Sequence, residues 1–320
     1  VLLWLPNNNL SLTNEFSRYF MSLNSSHTLE KNSSRNGAVS AISAYVMWGF
    51  APLYFKLLTD IAPGEILMHR VVWSSVILLM MIIAMRKWSQ LVAVFKQPKL
   101  IFHLSLSASF LAVNWFLFIW AVNNDHLLDA SLGYYINPLF NVVLGMLFFA
   151  ERLRRNQLIA VGLAFIGVVI QLIALGTLPL ISIVLAATFG IYGLIRKKLA
   201  VNSFVGLFIE SLLMLPLAVI YWCYFVNSST SDMTLNTSTL NITLIMAGLV
   251  TTVPLLFFTA AAKRLTLSTL GFFQYLGPSI MFILATFYYQ EILQTAKLIT
   301  FIFIWGALVI YSLDSLKKRN

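Results

Sequence analysis

Cysteine occurs once in the 320 residues, at Cys223. A lone thiol excludes an intramolecular disulfide and a Cys-ligated zinc or iron–sulfur site. Histidine occurs four times, at His27, His69, His103 and His126, too dispersed along the chain to gather as ligands, so no metal and no other cofactor is expected. The motifs of nucleotide and hydrolytic chemistry are missing as well: no Gly-rich loop ends in Gly-Lys-Ser/Thr, and there is no His-Glu-x-x-His or Gly-x-Ser-x-Gly. ATP-driven pumping by this chain alone is thereby excluded, and no enzyme activity is expected. Charged residues make up only 10%, while hydrophobic residues reach 59% and mean hydropathy +0.85. A soluble domain carries about 25% charged residues, so the chain reads as an all-α polytopic membrane protein.

An α-helix needs about 20 apolar residues to cross a hydrocarbon core of about 30 Å. Windows of that kind fall at 38–58, 64–85, 100–121, 129–149 and 157–174, then at 179–196, 204–223, 240–261, 268–289 and 296–314. Ten transmembrane helices follow. The formal charge of +10 could suggest nucleic acid, but its placement decides otherwise: every Lys and Arg except Lys56, Arg70 and Lys297 falls in the amino-terminal segment, the alternate loops on one side, or the carboxyl terminus. The opposite loops carry Asp60, Glu65, Asp125, Asp129, Asp232 and Glu291. By the positive-inside rule both termini are cytoplasmic, and the basic excess reads as a topology signal facing anionic lipid, with no nucleic-acid partner. Residues 1–36 are Asn- and Ser-rich and are expected to form a disordered polar tail. Met21 is the only Met before the first span, so part of that tail is expected to be a start-site artefact. Residues 317–320 form a basic cytoplasmic end.

The chain is duplicated. Pro138 and Glu151 recur as Pro278 and Glu291, each 140 positions on, and the same offset pairs Tyr135 with Tyr275, Ala121 with Ala261 and Arg70 with Glu210. The two copies, 37–175 and 176–316, hold five spans each. An odd number forces the copies to insert upside down relative to one another, and inverted repeats of this kind give secondary transporters their two near-equivalent states, open outward and open inward.

An ionisable side chain at membrane depth costs about 2.5–3.5 kcal/mol on insertion scales, so each needs a partner or a water-filled cavity. Arg70 lies too deep in the second span to snorkel easily, with His69 beside it. Its two readings are an anchor for an anionic or polar substrate group and a structural hydrogen-bond donor. Glu210 is either a protonatable coupling residue or structural. Gly133, Asn137, Asn141 and Gly145 form one stripe at i, i+4 spacing in the fourth span, suited either to binding substrate or to close helix contact. Gln274 and Tyr275 sit one turn before Pro278, as Tyr134 and Tyr135 do before Pro138. Pro52, Pro138, Pro254 and Pro278 fall inside spans, where they are expected to bend helices around a cavity. Trp48, Tyr54, Trp73, Asn114 and Trp115 complete the cavity candidates, with Trp48 and Trp115 the better placed to stack on a substrate.

These stretches resemble a known family. Trp-Gly-Phe-Ala-Pro-Leu-Tyr-Phe-Lys at 48–56, Glu-Ile-Leu-Met-His-Arg at 65–70 and Asn-Trp-Phe-Leu-Phe-Ile-Trp-Ala-Val-Asn-Asn at 114–124 are similar to the RarD-type permeases, in the EamA branch of the drug/metabolite transporter superfamily. So are Ala-Ser-Leu-Gly-Tyr-Tyr-Ile-Asn-Pro-Leu at 130–139 and Leu-Ser-Thr-Leu-Gly-Phe-Phe-Gln-Tyr-Leu-Gly-Pro at 267–278. The resemblance covers about 37–316. It implies a permease of the inner (plasma) membrane, often labelled chloramphenicol-sensitive protein, that exports small metabolites or drugs by alternating access. It also implies a cavity ringed by helices one to four and six to nine, with five and ten outside. The alternatives are a non-transporting regulatory or scaffold protein and a facilitative channel. A small-molecule substrate and proton coupling are the expected partners of a carrier, and the sequence suits a monomer and a homodimer equally.

Overall fold

The computed structural model describes the backbone of residues 9–124, 127–176, 179–224, 230, 232–290 and 295–317, and side chains from Asn32 onward except at 119, 122–123, 127–131, 175 and 316–317. The outer acidic residues Asp125 and Glu291, the side chain of Asp129, and His27 and His126 as side chains therefore lie outside the described residues. The described residues form helices and no strand: α1 (Asn9–Phe55), α2 (Pro63–Ala84), α3 (Trp88–Phe95), α4 (Pro98–Asn123), α5 (Leu127–Phe149), α6 (Arg155–Leu175), α7 (Leu180–Lys198), α8 (Ser203–Tyr224), α9 (Ser238–Ala262), α10 (Leu267–Gln274), α11 (Leu276–Ile283) and α12 (Thr295–Lys317). Ten stretches are long and apolar enough to cross a membrane, and they match the ten windows read from the sequence. Helix α1 starts at Asn9, within the tail for which disorder is expected. Once a helix is nucleated in a span, each added residue gains a hydrogen bond, so even a polar extension can propagate.

Local chemistry sets the ends. Pro63 and Pro98 open α2 and α4, where the missing N–H is no loss. Thr237 and Thr266 cap α9 and α10 through their side chains. The Gln157 side chain accepts from Arg154 N at 3.0 Å at the start of α6, which ends at Gly176 with φ 71°. The chain runs helical through Pro52, Pro138 and Pro254, and through Pro216, which the sequence reading did not single out. Only ahead of Pro278 does the span break into two helices, at Tyr275, followed by a π-helical turn over Leu284–Tyr288.

The main helix contacts come in corresponding pairs when the first five spans are set against the last five. Taking α1, α2, α4, α5 and α6 as one copy, the other is α7, α8, α9, α10 with α11, and α12. Helix α1 packs on α9 as α7 packs on α4; α5 packs on α7 as α11 packs on α1; α2 packs on α9 as α8 packs on α4. The remaining main contacts, α2 with α8, α5 with α10 and α6 with α12, join equivalent helices. Exchanging the copies therefore returns these main contacts, while lesser ones differ: α7 touches α9 and α5 touches α6 with no counterpart of like extent between α1 and α4 or between α11 and α12 among the described residues. Helices α6 and α12 close against each other through the small row Ala160, Ala164 and Gly167, with Thr300 Oγ1 donating to the Gly167 carbonyl at 3.1 Å. That close pairing sets them apart from the eight spans around the centre.

Candidate substrate site

Arg70 of α2 lies deep among protein atoms yet keeps part of its surface accessible. Its Nε donates to Thr251 Oγ1 of α9 at 2.8 Å. The Thr251 hydroxyl in turn donates to the Ala247 carbonyl at 2.8 Å, so its proton is committed and a lone pair is left for the guanidinium. Aromatic faces cover the cation: its Cζ is 4.7 Å from the Trp115 ring centre and 5.7 Å from that of Phe55, both within cation–π range. Tyr54 and Tyr134 are its ionisable neighbours. The Tyr54 hydroxyl donates to the Thr243 carbonyl at 2.7 Å, and Tyr134 stacks edge-on to Phe118 while staying 40% exposed. Among the described residues, Arg70 has no carboxylate partner: Glu65, one turn before it, accepts from Thr230 at 3.0 Å.

The other candidates are elsewhere. His69 is fully buried against Trp222 and accepts from Trp73 Nε1 at 3.2 Å, so both rings belong to the packing between helices and not to the Arg70 site. Adjacent helical residues point about 100° apart, which turns His69 away. For the same reason Tyr134, and not Tyr135, faces Arg70. Tyr135 is buried against Phe301, and its carbonyl accepts from Tyr275 OH at 3.2 Å. Asn114 donates to the Leu185 carbonyl and to Thr188 Oγ1, both at 2.9 Å, tying α4 to α7.

The stripe on α5 makes helix contacts. Asn137 donates to the Ala186 carbonyl at 2.9 Å, and Asn141 donates to Asn137 Oδ1 at 3.0 Å and to Gln274 Oε1 at 3.1 Å. These buried amides are partnered by protein. At the stripe's end a Cβ on Gly145 would stand 2.4 Å from Glu151 Oε2. Glycine there makes room for the Glu151 carboxylate, which accepts from Leu267 N at 2.7 Å, Ser268 N at 3.0 Å and Ser268 Oγ at 2.7 Å and so caps the start of α10.

On the side of the bundle that carries the basic loops, aromatic, ionic and lysine contacts join the helices. Trp48 joins Tyr45, Phe189, Tyr192 and Phe258 in one aromatic cluster, with centroid distances of 5.2–6.4 Å. Beneath it Glu210 meets Arg196 at 3.5 Å, both fully buried, with the Tyr192 and Ser107 hydroxyls beside the carboxylate. A Cβ on Gly206 would lie 2.3 Å from Arg196 Nη1, so only glycine lets the guanidinium lie flat on α8. Two lysines then cross between α7 and α9: Lys197 donates to the carbonyls of Ala262 and Leu265, and Lys263 to that of Val201. Burial, with Arg196 and Arg264 close by, pushes Lys263 down to about 8.

Sequence reasoning missed Thr251, Phe55, Arg196 and the lysine pair as site residues. Arg196 was legible in one respect: a carboxylate as deep as Glu210 calls for a cation, and the basic run at 196–198 ends the preceding helix.

Residues 35–173 match the EamA-like transporter family. The chain is 54% identical over 293 residues to an uncharacterized transporter of Vibrio cholerae, covering 92% of this chain and 97% of that protein. It is 51% identical over 292 residues to Protein RarD of Escherichia coli, covering 91% and 99%. A chloramphenicol-sensitive protein RarD of Pseudomonas aeruginosa is 30% identical over 88% and 95%. A solved crystal structure superposes with a TM-score of 0.68 at 18% identity, covering 87% of this chain and 97% of its own, which shows a shared fold.

Proposed function

Because the chain belongs to the RarD-type permeases of the EamA-like transporter family, and is thus a multi-pass transporter of the inner membrane, we propose that it moves a small organic molecule outward by alternating access. The observation that carries this reading is that the main helix contacts are returned when the two five-span copies are exchanged. Two interchangeable halves have two exchanged arrangements of equal kind, and if the copies are inverted these open to opposite sides. The basic loops and ends support a cytoplasmic location for both termini. In that orientation the arrangement seen is closed toward the cytoplasm by the aromatic cluster, the Arg196–Glu210 pair and the two lysines.

Arg70 is the anchor for the transported molecule, with Trp115, Tyr54, Tyr134 and Phe55 around it. Glu210, clamped to Arg196, serves the cytoplasmic closure; that leaves Lys263, at about 8, as the group placed to link closure to protons. Helix α3 exposes Trp88 and Phe95 and is flanked by Arg86, Lys87, Lys96 and Lys99, a composition suited to lying on an anionic cytoplasmic lipid surface.

The test compares extracellular metabolites of cells producing the wild type with those of cells producing Arg70→Ala at equal membrane abundance, followed by counterflow of the enriched compound in proteoliposomes. Saturable counterflow is expected. Flux without saturation or counterflow would make the protein a channel, and no flux of any enriched compound would favour a regulatory or scaffold role.

A further inference from the structure

The arrangement around Arg70 restricts what it can hold. A guanidinium offers five N–H donors in one plane. Here Nε is taken by Thr251 at 2.8 Å, and the Trp115 and Phe55 rings lie 4.7 and 5.7 Å from Cζ. What remains is the edge formed by Nη1 and Nη2, for which the described residues supply no acceptor, on a side chain that still has accessible surface. That edge is the fork that matches a carboxylate with two parallel hydrogen bonds. Thr251 sets its direction, because a hydroxyl already donating to Ala247 can only accept from Nε.

Charge narrows the class further. Lys56, next to Phe55 in sequence, rests on the Tyr289 ring at 3.9 Å, so its charge is engaged elsewhere. Among the described residues no acidic side chain pairs with Arg70, and its single positive charge neutralises a single negative charge. A phosphate dianion would keep one charge unpaired, and an amino acid would bring an ammonium for which the described residues offer no carboxylate; an uncompensated charge at this depth is disfavoured. The walls contributed by Trp115, Phe55, Tyr134 and Phe118 are flat and apolar, and they favour a flat apolar body next to the acid group.

We infer that the Arg70 site binds small monocarboxylates with a flat apolar body, held by a bidentate pair to the Arg70 Nη edge and oriented by Thr251. The inference rests on the transporter reading for its purpose, but its test does not. Purified protein is titrated with a panel of acids (benzoate, phenylacetate, 3-phenylpropionate and hexanoate), with the matching amides, and with phenylphosphonate and phenylalanine, following tryptophan fluorescence and thermal stability.

At least one acid is expected to bind with Kd at or below about 1 mM, with its amide, phenylphosphonate and phenylalanine at least about tenfold weaker. Arg70→Gln should abolish the preference for acid over amide, and Thr251→Val, a change of nearly equal volume, should weaken acid binding about tenfold while leaving the fold intact. The proposal is overturned if no acid of the panel binds, if amides bind as well as acids, or if Arg70→Gln and Thr251→Val both keep wild-type acid affinity. Should an acid bind as described yet show no counterflow in proteoliposomes, the site stands and the transporter reading fails; counterflow of another compound, unaffected by Arg70→Gln, does the reverse.

Discussion

Arg196 and Glu210 form an ion pair at 3.5 Å in which neither side chain has any exposure. The pair links α7 to α8, with Tyr192 and Ser107 beside it. Removing one partner strands the other charge in a low-dielectric interior, a loss of about 3–5 kcal/mol, whereas replacing both by apolar groups of similar volume can be close to neutral. Arg196→Met and Glu210→Leu are each expected to lower the stability of the purified protein by that amount, and the double substitution to recover most of it. Denaturant or thermal unfolding in detergent measures this. A double variant as unstable as the sum of the singles would show that the two side chains are not coupled.

Lys263 gives the cytoplasmic closure a pH dependence whose sign can be worked out. In the closed arrangement its amine is pushed down to about 8 from an ordinary 10.5 by burial and by Arg196 and Arg264, with Glu210 opposing. Lys197 is the other cation crossing the same gap. An open arrangement that returns Lys263 to water restores its ordinary value. Below about 8 both arrangements hold the proton and pH changes nothing. Between about 8 and 10.5 the open one binds more protons, so raising the pH shifts the balance toward closure. Spin labels at Leu199 and Thr266, in a Cys223→Ser background, are expected to show the short-distance population growing across that range, and Lys263→Met to flatten the response. A wild-type distribution that does not move with pH would rule Lys263 out as the sensor.

The architecture was legible because its signals are sums over many residues. Ten apolar windows survive any single misjudged position, and the 140-residue offset is carried by several pairs at once. The proposed site was legible only where one residue was so expensive at depth that it called for a partner or a cavity. Arg70 met that condition, and Trp115 sat among polar neighbours. What the sequence could not supply was helix rotation. His69 and Arg70, or Tyr134 and Tyr135, differ by one residue and point into different surroundings, and the choice between them is made by packing against α8, α9 and α12. The stripe Asn137, Asn141 read equally well as a binding surface or a contact, and it was decided by Ala186 and Gln274, residues distant in sequence. Thr251 and Arg196 act through partners more than ten residues away, which no local spacing encodes.

Glu151 fastens the loop after α5 to the start of α10, accepting two backbone N–H groups and the Ser268 hydroxyl. Hydrogen bonds to a charged acceptor contribute about 1.5–3 kcal/mol each when they are otherwise unmet. Glu151→Ala should therefore destabilise by at least about 2 kcal/mol, and Glu151→Gln by less, because the amide oxygen can keep one bond. Gly145→Ala, which brings a Cβ to 2.4 Å from Glu151 Oε2, should reproduce the loss and add little to Glu151→Ala. Thermal unfolding of the three variants and the double distinguishes a shared cause from two separate ones; additive losses would separate Gly145 from the cap.

The backbone carries the duplication into its least favourable conformations. Ala150 adopts φ 50° and Gln290 φ 54°, both left-handed, and the two positions are related by the same offset that pairs Tyr135 with Tyr275. A residue with a Cβ loses about 1–2 kcal/mol in this region, and glycine avoids that while giving back about 0.5–1 kcal/mol through the freer unfolded chain. Both residues are exposed, so the backbone term is not masked by lost packing. Ala150→Gly and Gln290→Gly are each expected to raise stability by about 0.5–1 kcal/mol, in parallel, despite the different side chains removed. The parallel is the informative part. If the copies are equivalent structural units, the chain turns the same way after the fourth span of each and glycine relieves the same strain twice. Stabilisation at one position with destabilisation at the other would mean that the two turns are held by different forces and that the halves are not interchangeable there.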